Sequence, residues 1–233
     1  MVVLVRSDRF ITGLLVILMM TTLLAGCISE NEITVDDLDV DDTPGWAVGD
    51  WFLYVFSTPD FTEDTARLVV SERDESSSNW MLGISSEIEA QRHAVLNHNP
   101  FLGRITFDSL MVYENGNPQE VFHFPMDKGE SWSFSLFGNN WEAEVIGLSS
   151  NGATVEAEAS DGATINYVFD GRLGFVRELI WIDSSATERF RMQLTDSGND
   201  YSGESWFIRA TDLKQERYEN IDGELYDSFV DSG

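Results

Sequence analysis

His93, His98 and His123 are the only histidines of the chain, and they are its first candidates for metal chemistry. Imidazole nitrogens are common zinc ligands, and three of them with a carboxylate would complete a tetrahedral site. None of the three lies at a spacing typical of zinc sites, and His93 and His98 are five residues apart on a segment that we predict to be helical. The sequence therefore favours ordinary surface or core histidines, and it predicts no metal ligand and no cofactor.

Two acidic segments have the composition of calcium-binding loops. In the first, Asp37, Asp39 and Asp41 have the alternate spacing of such a loop, but Asp42 lies where a glycine is required and Val48 where the bidentate glutamate belongs. The second segment carries Asp196, Asn199, Asp200 and Glu204 beside two glycines. Solvated turn residues explain the second segment as well as a calcium site does, and we favour the turn.

No pattern for hydrolytic chemistry is complete. Residues 147–151 contain serine after Gly147-Leu148 but lack the second glycine of a nucleophile elbow, and they coincide with a predicted hairpin. The 41 acidic residues are too many for a glycosidase pair to be identified without distances. We therefore predict no catalytic residue and a non-catalytic protein.

The first 26 residues have the order of a secretory signal. A start with two arginines, an apolar run over residues 11–24 and two small residues lead to Cys27, the only cysteine of the chain. With one cysteine, no disulfide can form within the chain. An uncleaved membrane helix over residues 10–25 is the alternative interpretation. In both cases the rest of the chain faces outside the cytoplasm if the positive end stays inside.

Leu24-Ala25-Gly26-Cys27 resembles the lipobox of bacterial and archaeal lipoprotein precursors. In that family the cysteine sulfur is lipidated, and cleavage then makes the cysteine the first residue. The resemblance covers only the leader. It implies a signal peptide over residues 1–26, a lipid on Cys27 and a membrane as partner, so we expect the remainder to be lipid-anchored at the outer side of the cell membrane.

The charge of the chain is strongly negative. Lys and Arg number 14 against 41 Asp and Glu, which gives a formal net charge of −27. Nucleic acid is excluded as a partner because phosphate binding needs clustered Lys and Arg. Adaptation to salty surroundings explains the charge, and binding of cations or of a basic partner is the alternative. Acids without any Lys or Arg follow the anchor, and they indicate an extended tether over residues 27–44.

From Trp46 onward apolar residues alternate with polar ones, which is the pattern of half-buried strands. Turn residues such as Asn115-Gly116 and Asp161-Gly162 separate the runs, and short links between strands imply antiparallel neighbours. The strands are predicted near residues 50–57, 66–73, 79–84, 104–114, 119–124, 131–137, 141–148, 153–159, 164–170, 174–183 and 187–195, with a possible twelfth at 205–211. The sequence thus predicts a mainly β domain over residues 45–212, built as a large curved antiparallel sheet or half-barrel of about eleven to twelve strands. An acidic tail over residues 213–233 follows.

One segment has the helical period instead. Ser86 and Glu89 have the spacing of a capping box, and Asn99-Pro100 ends the run, so we predict one short helix against the sheet or at its open side. The predicted contact face consists of Ile88, Gln91, Arg92, Val95 and Leu96.

All seven tryptophans belong to the predicted β domain. They are Trp46, Trp51, Trp80, Trp132, Trp141, Trp181 and Trp206. A packed core is one interpretation, and a concave sheet lined with aromatic rings that holds an apolar ligand is the other.

An exported, lipid-anchored domain of many antiparallel strands and one helix resembles the half-barrel fold of LolA/LolB-type lipoproteins. Asp170-Gly171-Arg172-Leu173-Gly174-Phe175 is similar to a hairpin often seen in such sheets. The resemblance concerns topology and carries over no functional residue. We therefore expect a binding module for an apolar or small ligand or a partner protein at the cell surface. The alternative is a structural or interaction domain of the cell envelope with a filled core.

Overall fold

A computed structural model describes residues 43–59, 63–95, 99–150, 152–212, 215–220 and 225–227. The predicted leader, Cys27, the tether up to residue 42 and His98 lie outside these ranges. Within them the protein is mainly β, with strands joined into an antiparallel sheet and one short helix. The predicted fold class is thereby confirmed.

The helix and strands follow one another in an order dominated by hairpins. The strands are β1 (Trp51–Ser57), β2 (Asp64–Asp74), β3 (Asn79–Ile84), β4 (Gly103–Thr106), β5 (Val112–Glu114), β6 (Asn117–Gln119), β7 (Ser131–Leu136), β8 (Asn139–Ser149), β9 (Gly152–Ala159), β10 (Thr164–Asp170), β11 (Phe175–Ile182), β12 (Glu188–Gly198), β13 (Trp206–Asp212), β14 (Gln215–Asn220) and β15 (Leu225–Asp227). The helix α1 (Glu87–Val95) lies between β3 and β4.

Twelve of these strands form one continuous path in the order β15-β14-β13-β3-β2-β1-β12-β11-β10-β9-β8-β7. This path curls into a nearly closed barrel-like sheet. The strands β4, β5 and β6 branch from β3. Strand β12 returns to pair with β1, which brings the end of β12 beside the start of β1: Trp51 lies opposite Gly198. That pairing creates one wall of the pocket described below.

Two predicted strands are wrong in extent. The run 104–114 is divided into β4 and β5 by a turn in which Leu110 is fully buried and has a positive φ of 49°. The run 119–124 is a strand only up to Gln119. Beyond Gln119, backbone carbonyl oxygens accept hydrogen bonds from side chains instead of from a neighbouring strand. Trp132 Nε1 donates to the carbonyl oxygen of Glu120, and the Tyr167 hydroxyl donates to that of Val121.

Two further strands, β14 and β15, lie within residues 213–233, where we expected only an acidic tail. Strand β14 pairs with β13, and β15 pairs with β14. Aromatic residues such as Tyr218 and Tyr226 favour strands, and the acidic composition obscured that preference.

The helix begins as predicted, because the amide of Glu89 donates to Ser86 Oγ at 3.4 Å. The predicted contact face is wrong at Ile88, which is 67% exposed, whereas Arg92 of that face contacts Asp64 in β2. Ala90 and His93, which we did not place on that face, are fully buried. The buried face of the helix therefore contains a small residue, Ala90, and a histidine with polar partners, His93.

The interior of the sheet is filled by aromatic rings around Phe175. The ring centroid of Phe175 lies 5.2 Å from that of Trp46, 5.0 Å from Phe52 and 5.2 Å from Phe101. Such tilted and edge-on contacts add to the burial of apolar area. A packed core is thus what the sheet encloses around Phe175, and the concave surface of this region is not open.

Candidate functional site

A surface pocket of about 360 Å³ lies where four segments meet: the residues before β1, the start of β1, the β10–β11 turn and the end of β12. The side chains that can contact a ligand there include Trp46, Asp50, Phe52, Arg172, Ser197 and Asn199. A volume of this size is within the range of small-molecule sites, roughly 300–1,000 Å³.

The β10–β11 turn presents Arg172 at this pocket. Asp170 accepts hydrogen bonds from the amides of Arg172 and Leu173, at 3.0 and 3.1 Å, with the same carboxylate oxygen. Its other oxygen pairs with Arg177. An aspartate that binds the amides two and three residues ahead fixes the backbone of a turn. The motif that we noted as a hairpin is therefore a rigid support for the Arg172 side chain.

Trp46 closes the pocket from below. Its indole Nε1 donates to the carbonyl oxygen of Gly174 at 3.0 Å, and its ring packs edge-on against Phe175. A Cβ at Gly174 would lie 2.6 Å from Pro44 Cβ, and this glycine has a φ of +68°, so both space and conformation require glycine here. Trp46 and Phe52 are both buried. They give the pocket an aromatic floor.

The charged groups of the pocket are not neutralised by each other. Arg172 is exposed and forms no ion pair with any carboxylate of the described residues. Arg177, five residues along the chain, pairs with Asp170. Asp50 uses Oδ2 to accept the amide of Ala47 at 2.7 Å. Arg67, Arg104 and Lys128 likewise form no ion pair among the described residues, so Arg172 is distinguished by its position at the pocket.

The pocket has the groups for binding and lacks a set for covalent catalysis. No histidine, cysteine or lysine lines it, so the imidazole or amine that commonly activates a serine is absent from the lining. Arg172 can bind an anionic group in a bidentate manner, and the aromatic floor can bury an apolar one.

A second polar cluster connects α1 to the start of β2. Arg92 Nη1 lies 2.8 Å from Asp64 Oδ1 and 3.1 Å from Glu89 Oε2, and His93 Nε2 lies 3.2 Å from Asp64 Oδ2. Interaction with His93 is the main cause that lowers the pKa of Asp64 to about 2. Burial, followed by the neighbouring Asp64, raises the pKa of Glu89. This cluster stabilises the helix against the sheet.

Asp64, Glu89 and His93 are the one trio in the described ranges whose ligand atoms approach within 4.8 Å of one another, as metal ligands do. The other nitrogen of His93, Nδ1, argues against a metal. It faces the Asn99 side-chain nitrogen at 3.3 Å, and the orientation of Asn99 is set because its Oδ1 accepts the amide of Phe101. Nδ1 is then an acceptor and Nε2 carries the proton, whereas a metal-binding Nε2 needs a donating Nδ1. The hydrogen-bond geometry of His93 therefore argues against a metal ion at this trio.

The predicted candidate residues are not brought together. His93 packs edge-on against Phe56 with centroids 4.3 Å apart, whereas His123 stacks on Trp132 at 5.5 Å and contacts Glu120. His98 and the aspartates of the first acidic segment lie outside the described residues.

In the second acidic segment the side chains of Asp196, Asp200 and Glu204 are exposed. Tyr201 N donates to the carbonyl oxygen of Gly49, which attaches this loop to the segment before β1. The turn interpretation accounts for the loop, and Asn199 alone from this set lines the pocket.

The sequence alone does not distinguish Arg172 or Asp50 from the other charged residues, whereas Glu89 and His93 stand at i, i+4. That spacing puts both on one helical face and was visible in the sequence. Their interaction partner Asp64 lies in β2, which is distant in the sequence.

No protein-family model, curated protein or solved structure matches the chain. The resemblances to lipobox precursors and to LolA/LolB-type lipoproteins therefore stay predictions.

No helix among the described residues is long and apolar enough to cross a membrane.

Proposed function

We propose that the chain is an exported lipoprotein, anchored by a lipid on Cys27, whose β domain is a non-catalytic binding module for a small ligand. The observation that carries the binding role is the pocket with its aromatic floor and the unpaired Arg172 beside it. The anchor rests on the charged and apolar leader that ends in Leu24-Ala25-Gly26-Cys27.

The pocket supports a small ligand more than a large apolar one. The rings beneath it already pack against one another, so Trp46 and Phe52, which are 6% and 3% exposed, leave only a small apolar area for contact with a ligand. A long lipid chain would bind only if the core opened, because the core is already packed. A small ligand can occupy the surface pocket of about 360 Å³ without such a change.

A structural or interaction domain is the second candidate, and the filled aromatic core favours it. In the described residues the exposed large apolar side chains are Val48, Ile88 and Ile146. Scattered apolar residues of this kind are normal on a surface. A protein partner would therefore have to recognise the charge of the domain more than an apolar patch.

The binding role is tested by native mass spectrometry of the full chain, extracted from membranes in detergent. We expect a small molecule to co-purify, and we expect its occupancy to fall in Arg172→Gln. Loss of one charge-assisted contact is worth about 1.5–3 kcal/mol, which is roughly a 10- to 100-fold change in affinity. Arg189→Gln is the matched control, since Arg189 is an exposed arginine that does not line the pocket. A bare mass in both variants and in the parent protein would favour the structural alternative.

The anchor is tested separately by Cys27→Ser. We expect the protein to be released from membranes or to accumulate as an unprocessed precursor. Membrane retention at mature size would contradict the anchor, and intact-mass measurement of the native N-terminal peptide would show whether a lipid is present.

A further inference from the structure

The pocket presents two opposite charges that are each left with binding capacity. Arg172 makes no ion pair with the described carboxylates. Asp50 directs Oδ2 to the amide of Ala47, and its Oδ1 has no hydrogen-bond partner among the described residues. Two opposite charges that line one pocket without pairing can bind the two ends of a ligand that itself carries both charges.

We propose that the ligand is a zwitterion of the amino-acid type with an apolar side chain. Arg172 would bind the carboxylate, Asp50 Oδ1 the ammonium group, and the exposed atoms of Trp46 and Phe52 the apolar side chain. This inference rests on the proposed function of the pocket and adds the chemical class of the ligand.

The net charge of the chain favours a zwitterion over an anion. A formal charge of −27 repels a net-negative small molecule before it reaches Arg172, and this repulsion is long-ranged at low ionic strength. A zwitterion has no net charge, so its approach is not opposed, and its carboxylate meets Arg172 only at contact distance.

The same argument separates a zwitterion from a simple cation. Acidic side chains are abundant on the surface, and a monocation would associate with many of them. Arg172 beside Asp50 would repel such a cation inside the pocket. A ligand with both charges contacts both residues that line the pocket.

The test uses three probes of one skeleton with the full chain in detergent. L-phenylalanine carries both charges, 3-phenylpropionate carries only the carboxylate, and phenethylamine carries only the ammonium group. Saturation-transfer NMR and isothermal titration would measure their affinities. We expect L-phenylalanine to bind at least 10-fold more tightly than either of the other two probes.

Two substitutions assign each end of the ligand. Arg172→Gln should weaken L-phenylalanine and 3-phenylpropionate by 10-fold or more without weakening phenethylamine. Asp50→Asn should weaken L-phenylalanine and phenethylamine by 10-fold or more without weakening 3-phenylpropionate. The amide oxygen of the new side chain can still accept the Ala47 amide, so the segment before β1 keeps its hydrogen bond. Arg189→Gln should change none of the three affinities, and circular dichroism would show that each variant is folded.

The inference is overturned if either singly charged probe binds as tightly as L-phenylalanine, or if Arg172→Gln leaves all affinities unchanged. It is also overturned if none of the three probes binds. The proposed function is tested by a separate outcome. A co-purifying molecule that is not a zwitterion would support the binding module and contradict this ligand class.

Discussion

Tyr54 offers a test of how the core is held together, because its buried hydroxyl has a single structural purpose. The side chain is fully buried in β1, and the hydroxyl donates a hydrogen bond to the carbonyl oxygen of Val176 in β11. Burial raises the pKa of Tyr54 well above the ordinary value of 10.0. Tyr54→Phe removes the hydrogen bond and leaves that carbonyl without this donor, which should cost about 1–2 kcal/mol of folding stability near neutral pH.

The cost should disappear at high pH. In the unfolded chain the phenol of Tyr54 ionises near pH 10, whereas the folded chain keeps it protonated to higher pH. The folded state then binds more protons, so the parent protein loses about 1.4 kcal/mol of stability per pH unit above pH 10 through this residue. Tyr54→Phe has no phenol to ionise there. The two stabilities should therefore become equal roughly one pH unit above the ordinary tyrosine value.

Urea unfolding followed by tryptophan fluorescence at pH 7, 10 and 11 would measure this difference. Other groups titrate equally in both proteins, so their effects cancel when the two free energies of unfolding are subtracted. Tyr113→Phe is the control, since Tyr113 is a half-buried tyrosine whose hydroxyl contacts Asn79. An unchanged difference between the parent protein and Tyr54→Phe from pH 7 to pH 11 would refute the reasoning.

Three further substitutions test the β8–β9 hairpin. Gly152→Ala should destabilise the protein by about 2–4 kcal/mol, because its Cβ would lie 1.8 Å from the carbonyl oxygen of Phe169. Gly147→Ala, whose nearest contact would be at 3.9 Å, should cost less than about 1 kcal/mol in the same thermal unfolding measurement, and equal losses would contradict the clash. Glu156→Lys should stabilise the protein by about 0.2–1 kcal/mol at low salt, because Glu156 lies opposite Glu144 across the ladder. The gain should shrink in about 1 M salt, and a gain that does not depend on salt would rule out charge repulsion as its cause.

The strands that sequence reasoning located best are those with one solvated face. In β7, Trp132, Phe134 and Leu136 are buried while the serines at 131 and 133 are exposed, as the alternation predicts. The same reasoning failed at Leu110 and Val121, because a buried turn is as apolar as a buried strand and has no period of its own. Periodicity measures burial, and only hydrogen bonding separates a strand from a packed turn.

The candidate site could not be predicted from the sequence, because it depends on which arginine has a carboxylate partner and which lines the pocket. Arg172 and Arg177 are both exposed arginines in one hairpin, and the sequence does not distinguish them. The fold does, since Asp170 pairs with Arg177 through one oxygen and binds the Arg172 backbone through the other. Whether a charged side chain has an ion-pair partner can be decided only from the three-dimensional structure.

The solvent face of β8 and β9 shows how the excess of acid bears on binding. Glu142 lies opposite Glu158, and Glu144 lies opposite Glu156, with all four side chains exposed. Like charges directly opposite each other on a ladder destabilise it, so this face is suited to surroundings in which dissolved ions screen the repulsion. In such surroundings the long-range field of the chain is short, and contact-distance interactions decide which ligand stays bound. Recognition would then depend on the arginine and aspartate at the pocket and on the rings beneath them, and the repulsion of anions by the net charge would add to it only at low ionic strength.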